Sequence, residues 1–137
     1  MNYWLLKTDA DTYSFADLQR DGRTIWDGVR NYQARNNIRA MQPGDIALIY
    51  HSVTDKCVVG IAEIITMPFP EPNDLENKWT AVDIKPIALL KRPISLDEIK
   101  ADPQLEDLPL IKQSRLSVMP ISQTAYDRIL YLSNLQN

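Results

Sequence analysis

Nucleophilic catalysis needs an activated Cys or Ser, and the chain's one cysteine and one histidine, Cys57 and His51, six positions apart, are the only Cys/His pair available for it. A reactive cysteine needs a stabilised thiolate, whereas Cys57 opens the apolar, β-branched run Cys57–Ile65, where a thiol behaves as a small buried hydrophobe. His51 lies in an alternating stretch and reads first as a hydrogen-bonded strand residue. A single cysteine and a single histidine exclude an internal disulfide and a Cys/His zinc cluster. Carboxylates pair only as neighbours, Asp97 with Glu98 and Glu106 with Asp107, and adjacent side chains on a helix point in different directions. The four glycines, Gly22, Gly28, Gly44 and Gly60, match no phosphate-binding loop. No cofactor and no metal are therefore expected. An enzyme acting on nucleic acid or nucleotides through His51 and Cys57 stays as the alternative function.

The tryptophans carry more information. Trp4 sits in Tyr3-Trp4-Leu5-Leu6 and reads as core, whereas Trp26 precedes Asp27-Gly28-Val29-Arg30-Asn31, a turn into an arginine-bearing helix. The strand period of two puts Trp79, Ala81, Asp83 and Lys85 on one face, with Thr80, Val82 and Ile84 on the other. An indole then shares its face with a carboxylate. Aromatic faces hold flat bases at about 1–3 kcal/mol each, and a carboxylate or amide can read the base edge. Core and site are equally open to Trp79 on this pattern. Asn31, Arg35 and Arg39 recur at i, i+4 and i+8, and two guanidiniums one turn apart suit adjacent phosphates; pairing of Arg35 with an internal acid is the other reading. Arg30 joins Arg35 and Arg39 as a candidate contact to a nucleic-acid backbone.

Fifteen Lys and Arg against eighteen Asp and Glu give a net charge of −3 over 137 residues, which argues against coating nucleic acid by bulk charge. The distribution is uneven. Arg20–Arg39 holds five arginines and two acids, whereas Glu71–Asp107 holds nine acids and five basic residues. One basic segment on an acidic remainder suits a limited site rather than a long groove. No apolar run reaches the ~18 residues of a membrane span and no secretory signal pattern opens the chain, so a cytoplasmic protein with no membrane partner is expected.

These residues are expected on one unit, 1–137, without repeats or linkers. Tyr3–Lys7 reads as a strand. Ser14 and Asp17 start a helix that Gly22 ends, and Ala34, Ile38 and Met41 mark one face of a helix over Asn31–Met41. Pro43-Gly44 turns the chain into a strand, Asp45–Ser52, which pairs antiparallel with Cys57–Ile65 across Val53–Lys56. Gly60 marks a bulge or a close approach within that second strand. Met67–Asn77, with Pro68, Pro70 and Pro72, reads as a loop, and Trp79–Leu90 as a strand whose Pro86 implies an edge or a bulge. Ser95-Leu96-Asp97-Glu98 is a capping box, Pro103 and Pro109 bracket an irregular segment, and Ser122 begins a last helix with Tyr126, Ile129, Leu130 and Ser133 near one side. Hairpins without regular strand-helix-strand alternation predict an α+β fold with a small curved or barrel-like sheet flanked by helices.

The blocks Tyr3-Trp4-Leu5-Leu6-Lys7, Tyr13-Ser14-Phe15-Ala16-Asp17-Leu18, Trp26 through Asn36, Tyr50-His51-Ser52, Gly60-Ile61-Ala62-Glu63, Trp79-Thr80-Ala81-Val82-Asp83, Pro93-Ile94-Ser95-Leu96 and Arg115 through Pro120 occur in order along nearly the whole chain. Together they resemble the EVE domain family, a branch of the PUA-like fold related to YTH domains. The resemblance implies a PUA-like mixed sheet with a pocket for a modified nucleobase in DNA or RNA, and a binding protein rather than an enzyme. It implies Trp26 and Trp79 as two cage walls, Lys7 and Thr8 at the rim, and Asp27, Asn31 and Ser52 as polar contacts; Asp83 joins them from its place on the Trp79 face. Two departures stand out: Lys7-Thr8-Asp9-Ala10 where the family usually has Lys-Ser-Glu-Pro, and a Pro70–Lys78 loop shorter than usual. A plain interaction module that docks a protein on an exposed helix is the third reading.

Overall fold

The computed structural model describes residues 1–135. The chain enters through β1 (Tyr3–Thr8), whose Trp4, Leu5 and Leu6 are all buried because both faces of this strand are covered. Helix α1 (Phe15–Asp21) follows. Ser14 caps it by accepting from Asp17 N–H at 3.0 Å while the Asp17 carboxylate takes the Ser14 N–H at 2.9 Å, and Gly22 ends it in the left-handed conformation. Both boundaries are where the sequence puts them.

After the short β2 (Thr24–Trp26), Asn31 caps α2 (Tyr32–Arg39), its Oδ1 accepting from Ala34 N–H at 2.9 Å. Ala34 and Ile38 are fully buried, as their spacing predicts. β3 (Ile46–His51) and β4 (Cys57–Ile64) form the expected hairpin. Gly60 serves both purposes read for it. The ladder shifts register beside it, and the Phe15 ring lies so close that a Cβ there would stand 2.5 Å from Cζ.

Three short strands escape the sequence reading, β2 among them. β5 (Phe69–Pro70) interrupts the proline-rich loop, and β7 (Val118–Ile121) pairs antiparallel with β1. β7 is an edge strand, which is why it tolerates Pro120. Between them β6 runs sixteen residues, Thr80–Ser95, five beyond the expected end at Leu90. It continues through Lys91-Arg92-Pro93 because a bulge absorbs them: Leu89 pairs with Gly60 and Ile94 with Val58. Pro86 sits opposite Ala62 at another register shift, so of edge and bulge the bulge holds.

The sheet runs β2-β6-β4-β3-β1-β7, with β5 added beside β6. It is mixed, since β1 and β3 pair in parallel while the other ladders are antiparallel. The sheet curls into a half-barrel, and α2 touches both β7 and β6, bridging towards the two ends of the strand path. Asn37 Nδ2 donates to Val118 O at 2.7 Å and Arg39 Nε to Thr80 Oγ1 at 2.8 Å. Three further helices complete the fold: α3 (Leu96–Ala101), the four-residue α4 (Pro109–Lys112) and α5 (Gln123–Asn134). Ser95 caps α3 as expected, but the Glu98 carboxylate turns to Arg92 instead of back to the cap, at 2.8 and 2.9 Å. Ala125, Ile129 and Ser133 are the buried residues of α5, and Ser133 Oγ both donates to Arg92 O and accepts from Arg92 N–H.

Asp45 holds the start of β3. It is buried, with Oδ1 accepting from Asn2 N–H and Oδ2 from the Trp4 indole N–H and Gln42 N–H, each at 3.0 Å. Trp4 is thereby core with its one polar atom satisfied.

Candidate functional site

A cavity of about 640 Å³ opens where the C-terminal end of β1, the following loop and the end of β2 meet. Trp26 forms part of its wall and is only 9% exposed. Gly28, at φ +77, turns the chain so that Asp27, Arg30 and Asn31 border the same space. Lys7 and Thr8 enter from β1. Six of the predicted residues, Trp26, Asp27, Asn31, Lys7, Thr8 and Arg30, are thus brought together.

The local chemistry is polar around one aromatic wall. Burial lowers the Lys7 pKa, and its Nζ donates to Ser114 O at 2.8 Å. Thr8 Oγ1 donates to Tyr13 O at 2.6 Å. Asn31 spends its oxygen on the α2 cap, which leaves its amide nitrogen as the group able to donate into the cavity. Tyr13 and Ser117 also line the space and were not singled out from sequence. Tyr13 offers a second aromatic ring, held by its hydroxyl donating to Asp21 Oδ2 at 2.8 Å.

The other candidates stand elsewhere. Trp79 is half-buried just ahead of β6, outside the cavity lining, and stacks on Tyr32 with ring centroids 5.2 Å apart and planes 17° from parallel. The Arg30 guanidinium lies 5.1 Å from the Trp79 ring centroid, so Arg30 borders the cavity on one side and touches Trp79 on the other. Ser52 lines an adjoining cavity, and its N–H and hydroxyl both donate to Thr8 O. Asp83, buried in β6, pairs with Arg23, and its backbone N–H donates to Thr66 Oγ1 at 3.0 Å.

The arginines have protein partners. Arg30 gives Glu71 two hydrogen bonds, at 2.7 and 2.8 Å. Arg35 lies 4.8 Å from the Tyr32 ring centroid and donates to Lys78 O and Asn36 Oδ1; Arg39 donates to Thr80 Oγ1. The partner of Arg35 is therefore not an acid but a carbonyl and an amide.

Cys57 and His51 are paired across the β3–β4 ladder. His51 Nε2 accepts from Phe15 N–H at 3.2 Å, which ties α1 to the sheet. Burial pushes the Cys57 thiol pKa up, with Asp55 adding to the shift, away from a thiolate. Among the described residues, no three His, Cys, Asp or Glu side chains cluster to hold a metal ion, and no helix is long and apolar enough to cross a membrane.

A curled, mixed half-barrel sheet flanked by helices defines a PUA-like fold. The chain belongs to the EVE domain family, whose model matches residues 2–132. It is 34% identical over 169 aligned positions to thymocyte nuclear protein 1 of Rattus norvegicus, covering 98% of this chain and 75% of that protein. An NMR structure from Rhodopseudomonas palustris superposes with a TM-score of 0.94 at 39% identity, covering 100% of this chain and 96% of that one. The human THYN1 protein, solved in complex with 5-methylcytosine-containing DNA, gives a TM-score of 0.92 at 30% identity over 100% of both chains. A YTH domain of Zygosaccharomyces rouxii, solved with N6-methyladenosine RNA, shares the fold at a TM-score of 0.59 and 16% identity, covering 99% of this chain and 88% of that one.

Proposed function

We propose that this protein is a non-catalytic reader that takes a modified nucleobase of a DNA or RNA strand into the cavity beside Trp26. The observation that carries the reading is the placement of one indole with Lys7, Thr8, Asp27 and Asn31 around a space of about 640 Å³, within the usual range for small-ligand sites. The likeness to human THYN1, solved with 5-methylcytosine DNA, supports it. The base, swung out of its strand, stacks on Trp26 while the Asn31 amide and the Lys7 ammonium donate to its edge. Trp79 acts through Arg30: the guanidinium borders the cavity, backed by the second indole, and supplies a further planar surface. Ser52 braces Thr8, and Asp83 holds Arg23 beside β2. A methyl group carried into the cavity and buried there adds about 0.8 kcal/mol, roughly a fourfold preference over the plain base.

Titration of tryptophan fluorescence with short strands carrying 5-methylcytosine or N6-methyladenosine, beside their unmodified counterparts, tests this. The expected result is tighter binding of one modified strand, lost in Trp26→Ala and largely kept in Trp26→Phe, with melting temperatures recorded for both. Equal affinity for modified and plain strands would overturn it. Turnover that disappears in His51→Ala would put the enzymatic alternative in its place.

A further inference from the structure

The cavity beside Trp26 does not stand alone. Lys7, Thr8, Asp9 and Ser117 line it and also line a second cavity of about 410 Å³, and Asn31 is shared with a third of about 300 Å³. The second and third share Ser114 and Arg115. The three openings therefore meet around the segment 113–117, which Lys7 Nζ fastens through Ser114 O at 2.8 Å.

The charges along this surface are uneven. The second cavity is bordered by Lys7, Lys56 and Arg115 against one carboxylate, Asp9. Asp9 accepts from Asp11 N–H within its own turn. Lys56 and Arg115 are exposed, and among the described residues neither forms a side-chain hydrogen bond or an ion pair. Lys56 ends the β3–β4 connection, just before Cys57, in the left-handed region, φ +47, with its carbonyl accepting from Leu96 N–H at 2.9 Å, so its backbone is anchored while its side chain is free. Arg23, Arg30, Arg35 and Arg39 are the opposite case, each already held by Asp83, Glu71, Lys78 O or Thr80. A phosphate approaching those arginines would have to displace an existing partner, whereas Lys56 and Arg115 are available at once.

We propose that the strand flanking the captured base runs over segment 113–117 into the second cavity, where Lys56 and Arg115 receive its phosphates. This rests on the nucleobase reading above, and it assigns the backbone contacts to Lys56 and Arg115 rather than to Arg30, Arg35 and Arg39. Asp9 at the shared rim keeps the path narrow by disfavouring phosphate at the mouth of the base cavity itself.

Two ligands separate this proposal from the base reading: the nucleoside 5-methyl-2′-deoxycytidine, which has no phosphate, and a short single-stranded DNA carrying one 5-methylcytosine. The double variant Lys56→Gln with Arg115→Gln should weaken the strand at least about tenfold at 50 mM salt, lower the slope of log affinity against log salt by about 1.4, and leave nucleoside affinity unchanged. Arg35→Gln with Arg39→Gln should leave that slope intact. An unchanged slope in the Lys56/Arg115 variant, or a slope carried by Arg35 and Arg39, overturns the path while the base site stands. Strand binding that depends on Lys56 and Arg115 but ignores Trp26→Ala upholds the basic path and overturns the base site.

Discussion

Glu71 grips Arg30 with both carboxylate oxygens and accepts the Gly28 N–H at 3.2 Å with one of them, so a residue of the proline-rich loop holds the turn that follows Trp26. The hydrogen bonds from Arg30 and then from Gly28, against some opposing desolvation, keep the Glu71 carboxyl below its ordinary value of 4.5. A carboxylate with a depressed pKa stabilises the folded state fully above its unfolded value and loses that contribution as pH falls through the folded one. Lowering the pH below about 4.5 should therefore release the turn and weaken modified-base binding before the sheet melts. Glu71→Gln should reproduce the loss at neutral pH, and binding measured from pH 3.5 to 7 in both proteins checks it.

Asn31 has two jobs that substitution can separate. Asn31→Asp keeps an oxygen for the α2 cap and adds a charge the helix N-terminus favours, but removes the amide donors. It should melt within a few degrees of the parent and bind a modified strand at least about tenfold more weakly. Asn31→Ala should lose both affinity and about 1 kcal/mol of stability. Thermal melts beside binding titrations distinguish the two.

Asp45 belongs to the fold alone. Removing it in Asp45→Ala strands three N–H donors, two of them backbone, and should cost about 3 kcal/mol, read by urea unfolding, with nucleoside affinity unchanged under folded conditions.

Gly60→Ala tests the packing of α1 on the sheet. The added methyl meets the fully buried Phe15 ring, and a loss of about 1–3 kcal/mol is expected. Phe15→Leu should recover part of it if the clash is with the ring, and a double-mutant cycle measures the coupling.

The helix boundaries at Ser14, Gly22, Ser95 and Ser122 were legible because capping is local: the side chain and the amide it meets lie within three or four residues. The face of α2 and the β3–β4 hairpin follow from spacing for the same reason. β2, β5 and β7 were not legible, since three, two and four residues carry too little pattern and exist because β6 and β1 offer them unpaired edges. Asp45 gave no signal at all, as two of its three donors lie more than forty residues away. In the site, the block from Trp26 to Asn31 pointed to the cavity because it forms one continuous wall. Trp79 was harder: strand periodicity gives its face but not its neighbour, and the Tyr32 ring comes from another element. Lys56 and Arg115 carry no signal in the sequence, since only the fold brings the β3–β4 connection and segment 113–117 to the same opening.

Helix α2 starts in the cavity wall at Asn31 and, through Asn37 on Val118 and Arg39 on Thr80, fastens towards both ends of an otherwise open strand path. It works as a strut whose anchorage is the ligand site. Occupancy of the cavity should then slow deuterium uptake in β7 and at the start of β6 together, although neither strand borders the ligand, making the seam of the half-barrel a remote gauge of whether a base is seated.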